Sequence, residues 1–231
     1  MLKASLAALA AIALLSGPAP AQDRSDNPDR TPYKVVLQDG NFEIRDYPAR
    51  HLAEITVVGD DRIAAYRGFR VFAEPTLPPG TPDELASLTT PVMETPTKGE
   101  QFGTYSLFQV LSARVWDVSF APPPGWKPGS LGYQKTPPVR WVDAPPQQIA
   151  VMDYDGRGGV WDGGLNWRQV SYDLLTEIAR HGYTPQGTIT IAQYNAPQTE
   201  AVFRHYAVMI AVKRSSGDTP APTYSPAGPA P

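Results

Sequence analysis

Sliding the chain against itself by 97 residues lays Phe42–Gly59 over Val139–Gly156, and this offset constrains the fold more than any single motif does. Asp46 meets Asp143, Pro48 meets Pro145, Leu52 meets Ile149, Ala53 meets Ala150, Ile55 meets Met152 and Gly59 meets Gly156. Both segments read as strand, proline-containing turn and strand, and each leads into a helical pattern. A unit too small to bury its own apolar face does so against its copy, so a repeat governs the architecture. The matches predict a duplicated strand–turn–strand–helix unit.

The first predicted helix is Asp60 to Ala73, where Ala65, Tyr66, Phe69, Phe72 and Ala73 gather on one side and Arg67 and Arg70 lie off it. The second is Asn166 to His181, with a stripe of Trp167, Val170, Leu174, Leu175 and Ile178, and with Gly182 placed to end it. Further strands are predicted at Lys34–Leu37, Ser87–Glu94, Tyr105–Phe120, Thr188–Tyr194 and Val202–Val212. Tyr105–Phe120 is too long for one ordinary strand and predicts a bend or bulge. Helices alternating with hairpins imply an α+β fold, antiparallel sheet with helices laid against it.

The ends set the compartment. Lys3, the apolar run Leu6–Leu15 and the small residues of Ala19-Pro20-Ala21 make residues 1–21 a secretory signal peptide, cut before Gln22. The run is half the ~20 residues a membrane span needs, so no span is expected in the mature chain. The expected location is periplasmic or secreted. Residues 22–30 are a polar linker and 215–231 a Pro-rich tail, both too poor in apolar mass to fold. The folded domain is 31–214. With no cysteine there is neither disulfide nor thiolate metal site. Twenty basic against 23 acidic residues, a formal charge of −3, gives no nucleic-acid surface.

No catalytic constellation is visible. There is no G-x-S-x-G elbow and no His/carboxylate cluster at metal spacing. The Gly156–Gly164 loop fits neither phosphate-binding glycine pattern and reads as a hairpin-to-helix connection. Glu43 and Asp46 face opposite sides of one strand, and with Arg45 and Arg50 they suggest surface ion pairing. Among the three histidines, His51 shares parity with Ala53, Ile55 and Val57 and so points to the apolar side at its strand's end. His181 closes the second helix, where a cation interacts favourably with the helix end. The parity of His205 decides nothing.

Several segments, in order, resemble the SOUL/haem-binding protein family. They are Tyr33-x-Val35 with Phe42-Glu43-Ile44-Arg45-x-Tyr47-x-x-Arg50, Gly68-Phe69-Arg70, and Thr89-Thr90-Pro91-Val92. Trp116-x-Val118-x-Phe120 with Pro122–Pro124, Tyr194-Asn195-x-Pro197 and Phe203–Val212 complete the set, so the resemblance spans Tyr33 to Lys213. It departs from the family's pattern at Glu74–Glu84, a Pro/Gly-rich insertion, at Arg204-His205-Tyr206-Ala207, and at Leu88 where a Met is usual. The resemblance implies duplicated βαββ-like repeats forming a distorted antiparallel β-barrel flanked by two helices. It also implies a haem or other porphyrin held in an apolar cleft beside the first helix. Ala65, Tyr66, Phe69 and Phe72 then either line that cleft or are ordinary core, and the sequence leaves both open. Arg62 is the candidate propionate partner, and His51 stands at the rim as a candidate iron ligand or a packed turn residue. The function expected is a non-enzymatic carrier of a tetrapyrrole. A module for another hydrophobic small molecule and a ligand-free envelope interaction protein are the alternatives.

Overall fold

The structure is a computed structural model and describes residues 33–77, 80, 87–97, 115–132, 134–155, 165–199 and 204–215. The expected signal peptide, the linker and the tail after Ser215 lie outside the described residues, as do Tyr105–Arg114, most of the Glu74–Glu84 insertion and the Gly156–Gly164 loop.

Alternation writes the strands. Val115–Phe120 buries Trp116, Val118 and Phe120 and turns Asp117 and Ser119 outward, the period-two signature of a pleated strand. In chain order the elements are β1 (Lys34–Asp39), β2 (Phe42–Tyr47), β3 (Arg50–Val58), α1 (Asp61–Gly68), β4 (Ser87–Pro96), β5 (Val115–Phe120) and β6 (Arg140–Ala144). They continue with β7 (Gln147–Asp155), α2 (Leu165–Arg180), β8 (Tyr183–Asn195) and β9 (His205–Arg214). The nine strands form one antiparallel sheet in the order β1-β2-β7-β9-β8-β4-β5-β3-β6. Its edges are β1 and β6, which pair only with β2 and β3 respectively. The sheet is therefore open, and the expected closed barrel is not formed.

The order has an inner regularity. β3, β5 and β4 lie side by side, as do β7, β9 and β8, and the two triplets meet where β4 pairs β8. The strand before each triplet crosses over to the other one, β2 onto β7 and β6 onto β3. Pairing registers put both helices on one face. Ala53, Ile55 and Val57 with Trp116, Val118 and Phe120 form the cluster under α1. Phe42, Ile44, Ala150, Met152, Val208 and Ile210 form the one under Leu174, Leu175 and Ile178 of α2. The opposite face carries a third cluster of Tyr33, Val35, Tyr47, Ile149, Val151, Tyr194 and Met209.

Asp60 caps α1 by accepting the Ile63 N–H at 2.9 Å. After Gly68 the helix widens into a π-helical turn, Phe69–Ala73, closed by the Glu74 N–H on the Phe69 carbonyl. The wider turn shifts the helical phase, so Val71, Phe72 and Ala73 are all buried in succession. In the regular turns of α1 the buried face is Ala64, Ala65 and Gly68, and Tyr66, grouped with the apolar side at 100° per residue, falls off it and is 47% exposed. α2 ends as expected at Gly182, whose φ of 72° lies in the left-handed region open to glycine. β4 carries a register shift between Ser87 and Val92 where Pro91, lacking an N–H, cannot donate to the ladder.

Candidate functional site

The last carbonyls of a helix have no partners within it. Here the chain after β5 folds back to supply them. The Gly129 N–H donates to the Val71 carbonyl at 2.8 Å, and Trp126 Nε1–H donates to the Phe72 carbonyl at 2.9 Å. The indole then packs on Phe72, with ring centroids 5.9 Å apart, and on Phe120 at 6.2 Å. Arg67 donates to Gln134 Oε1 at 3.0 Å, fixing the same segment to the side of α1. Thus anchored, the segment delivers β6 to the free side of β3.

β6 sets Trp141 opposite Ala53 and Asp143 opposite His51. Paired residues share a face, so Trp141 and His51 stand on the helix-bearing side just beyond the α1 cluster. Their rings stack at 4.7 Å with 6° between planes, and Trp126 meets Trp141 edge-on at 6.2 Å. Trp141 is 53% exposed and the His51 side chain 61%. A row of aromatic rings thus runs from Phe72 and Phe120 in the core, through Trp126, to an exposed indole–imidazole platform. His51 Nδ1 lies 2.6 Å from Asp143 Oδ1. A carboxylate on Nδ1 favours the tautomer with its proton there and leaves the Nε2 lone pair as the ligand atom, the arrangement common around metal-bound histidines. Chemically the platform offers a flat apolar surface and one imidazole donor.

The six residues singled out in the sequence fall in three places. Ala65, Phe69 and Phe72 are core at 1%, 3% and 0% exposure, with Phe72 alone tied to the platform through Trp126. Arg62 and Tyr66 are exposed on the outer side of α1. His51 stands at the start of β3 on the helix-bearing side of the sheet, as its parity indicated. The pairing of Glu43 with Arg45 is a correction: it is no surface contact but a 2.7 Å pair with both side chains 3–4% exposed, because β2 is covered on both faces.

Trp126, Trp141 and Asp143 were missed. Only the β3–β6 pairing, across about ninety residues, brings Trp141 and Asp143 to His51, and the offset alignment matched Asp143 with Asp46 instead. A second feature also went unread. Across the sheet centre, between the helices, registers align Glu94, Gln193, Tyr206 and Tyr154 on the helix-bearing face. Gln193 Nε2 donates to Glu94 Oε1 at 2.6 Å, and the two tyrosine rings stack at 5.5 Å. Burial, then the charge of Asp61, pushes the Glu94 carboxyl well above the ordinary carboxylate range.

The chain is similar in structure to an uncharacterized conserved protein from Listeria innocua, with 11% identity over 75% of this chain and 92% of that one, and a TM-score of 0.47. It is also similar to a hydrolase from Listeria innocua, at 8% identity, 77% and 94% coverage and a TM-score of 0.45. A third likeness is to the EcmrR C-terminal domain, at 10%, 75% and 97%, and 0.44. No curated protein matches the sequence. The family model for the SOUL heme-binding protein matches residues 28–211, most of the chain. With that match and an α+β antiparallel fold beneath it, the chain belongs to the SOUL heme-binding protein family.

Proposed function

We propose that the chain is an exported, non-enzymatic carrier of haem or a related tetrapyrrole, held non-covalently on the aromatic rim where β6 meets the end of the first helix. The observation that carries this reading is the exposed Trp141–His51 stack with Asp143 on Nδ1. An exposed tryptophan backed by further rings matches a flat macrocycle, and His51 Nε2 suits its iron. When bound, haem would supply the iron. The chain's part is to stack on the ring and orient the imidazole. Burying ~500 Å² of macrocycle at ~25 cal/mol/Å² gains on the order of 12 kcal/mol. Association costs of about 4–15 kcal/mol oppose it, so micromolar affinity is expected.

Haemin titration of the chain from Gln22 onward tests this. One saturating equivalent with a Soret shift is expected. Trp141→Ala should weaken binding, and His51→Ala should alter the Soret band at saturation. No saturable shift in the wild type overturns the carrier reading. A spectrum unchanged in His51→Ala removes His51 as ligand. Phe69 is the wrong probe, since an Asp there would open the core.

The mirrored triplets β3-β5-β4 and β7-β9-β8, each wrapped around its own helix, favour descent from a duplicated unit, as the 97-residue offset suggested. The seam of Glu94, Tyr154 and Tyr206 favours a second reading, a module for a lipophilic cation, because a buried acid beside aromatic rings is the chemistry that recognises organic ammonium groups. A thermal-shift response to quaternary ammonium compounds, lost in Glu94→Gln, separates this reading from the first.

A further inference from the structure

Glu177 and His181 stand four residues apart at the C-terminal end of α2, the spacing that puts two ligands on one helix face. Across from them β1 ends at Asp39. His181 Nε2 lies 3.5 Å from Asp39 Oδ2 and 3.6 Å from Glu177 Oε2, and the three ligand atoms all lie within 4.8 Å of one another. Nε2 is shielded from solvent and makes no hydrogen bond among the described residues. The imidazole is held flat against Phe42, with ring centroids 5.3 Å apart and 7° between planes. Asp39, Glu177 and Arg180 also line a cavity of about 300 Å³ that continues over Phe42 and Met152.

We infer that Asp39, Glu177 and His181 form a binding site for a divalent first-row transition ion, with an open coordination position toward this cavity. Zinc bonds nitrogen and carboxylate oxygen at ~2.0–2.2 Å, so tetrahedral ligands stand about 3.4 Å apart. The observed 3.5 and 3.6 Å separations need little adjustment to meet that value. One imidazole with two carboxylates suits Zn²⁺, Co²⁺ or Ni²⁺, whereas Mg²⁺ and Ca²⁺ prefer oxygen alone. Arg180 is the built-in competitor. Its guanidinium nitrogen sits 2.5 Å from both carboxylates, where the positive charge of a metal would be, and its side chain is 52% exposed. It therefore has a path into solvent when a metal enters. The inference is independent of haem binding, which concerns the other helix.

Co²⁺ titration of the tag-free chain, read by visible absorption and competed by Zn²⁺, tests the site. One equivalent should bind with d–d bands, unaffected by His51→Ala and not displaced by Mg²⁺. Asp39→Asn and His181→Ala should each weaken it at least about tenfold. Arg180→Gln should tighten it by removing the competing cation. His181 packs on Phe42, so a misfolded His181→Ala leaves the exposed Asp39→Asn as the deciding variant. Absence of one-equivalent binding in the wild type, undiminished binding in Asp39→Asn, or weaker binding in Arg180→Gln overturns the inference.

Discussion

Gly129 holds the platform segment against the first helix, and Gly129→Ala is the sharpest test of that anchor. A Cβ added there would stand 2.3 Å from the Arg70 carbonyl oxygen and 3.1 Å from Pro75 Cγ. The nearer obstacle is backbone and cannot rotate away. Reaching an ordinary contact of 3.4 Å requires the segment to retreat by about 1 Å. A shift of that size stretches Gly129 N–H to Val71 O from 2.8 Å and Trp126 Nε1–H to Phe72 O from 2.9 Å, beyond useful hydrogen bonding. Each bond is worth ~1 kcal/mol net, and a part-buried carbonyl left unpaired costs ~1–3 kcal/mol, so a loss of about 2–4 kcal/mol is expected. Urea unfolding followed by far-UV circular dichroism measures it, with tryptophan emission reporting on Trp126. Trp126→Phe, which removes the indole donor but keeps the ring, should cost nearer ~1 kcal/mol. A Gly129→Ala protein within ~0.5 kcal/mol of wild type, the ordinary scatter of surface changes, would show that the segment does not depend on this close approach.

Arg45→Met should cost about 3–5 kcal/mol in urea unfolding, because it leaves Glu43 buried and without its 2.7 Å partner; Glu43→Gln in the same chain should recover part of the loss. A cost below ~1 kcal/mol would mean that the pair is solvated. Glu94 has its folded pKa raised above the unfolded one, so the stability owed to its neutral form is full below ~4.3 and is lost as pH rises toward the folded value. Glu94→Gln should match wild type near pH 4 and melt higher at pH 8; parallel Tm–pH curves would refute this.

The elements were legible because period and punctuation are local. Both helices were found close to their ends, and Gly182 was correctly placed as a stop, since caps and apolar stripes involve neighbours in sequence. Errors began where pairing decides. Tyr66 was grouped with the buried side because the apolar stripe was drawn through Phe72 and Ala73, which the π-helical turn takes out of phase with α1. The closed barrel failed at β1 and β6, whose lack of a mutual ladder is a property of the whole sheet. The i, i+4 spacing of Glu177 and His181 stands in the sequence, but Asp39 joins them only because β1 and β2 are carried onto β7 beside α2.

The quoted family segments and the proposed rim do different work. Tyr33, Glu43, Arg45, Tyr47 and Tyr194 converge on the sheet face away from the helices. Arg45 lies 4.5 Å over the Tyr33 ring, Tyr33 packs on Tyr47 with ring centroids 5.2 Å apart and tilted by 48°, and Tyr194 shares their cluster. In the Tyr194-Asn195 turn, Asn195 Oδ1 accepts the His205 N–H at 2.7 Å and joins β8 to β9. These residues therefore help hold the sheet, and Trp126, Trp141 and Asp143 lie outside the quoted segments. Stability and affinity should then separate. Arg45→Met should lower the unfolding midpoint while the folded fraction keeps its haemin affinity, and Trp141→Ala, on a half-exposed ring, should do the reverse. If Arg45→Met weakened haemin binding as much as Trp141→Ala at a temperature where both are folded, the ligand would sit against the motif face and the rim assignment would fall.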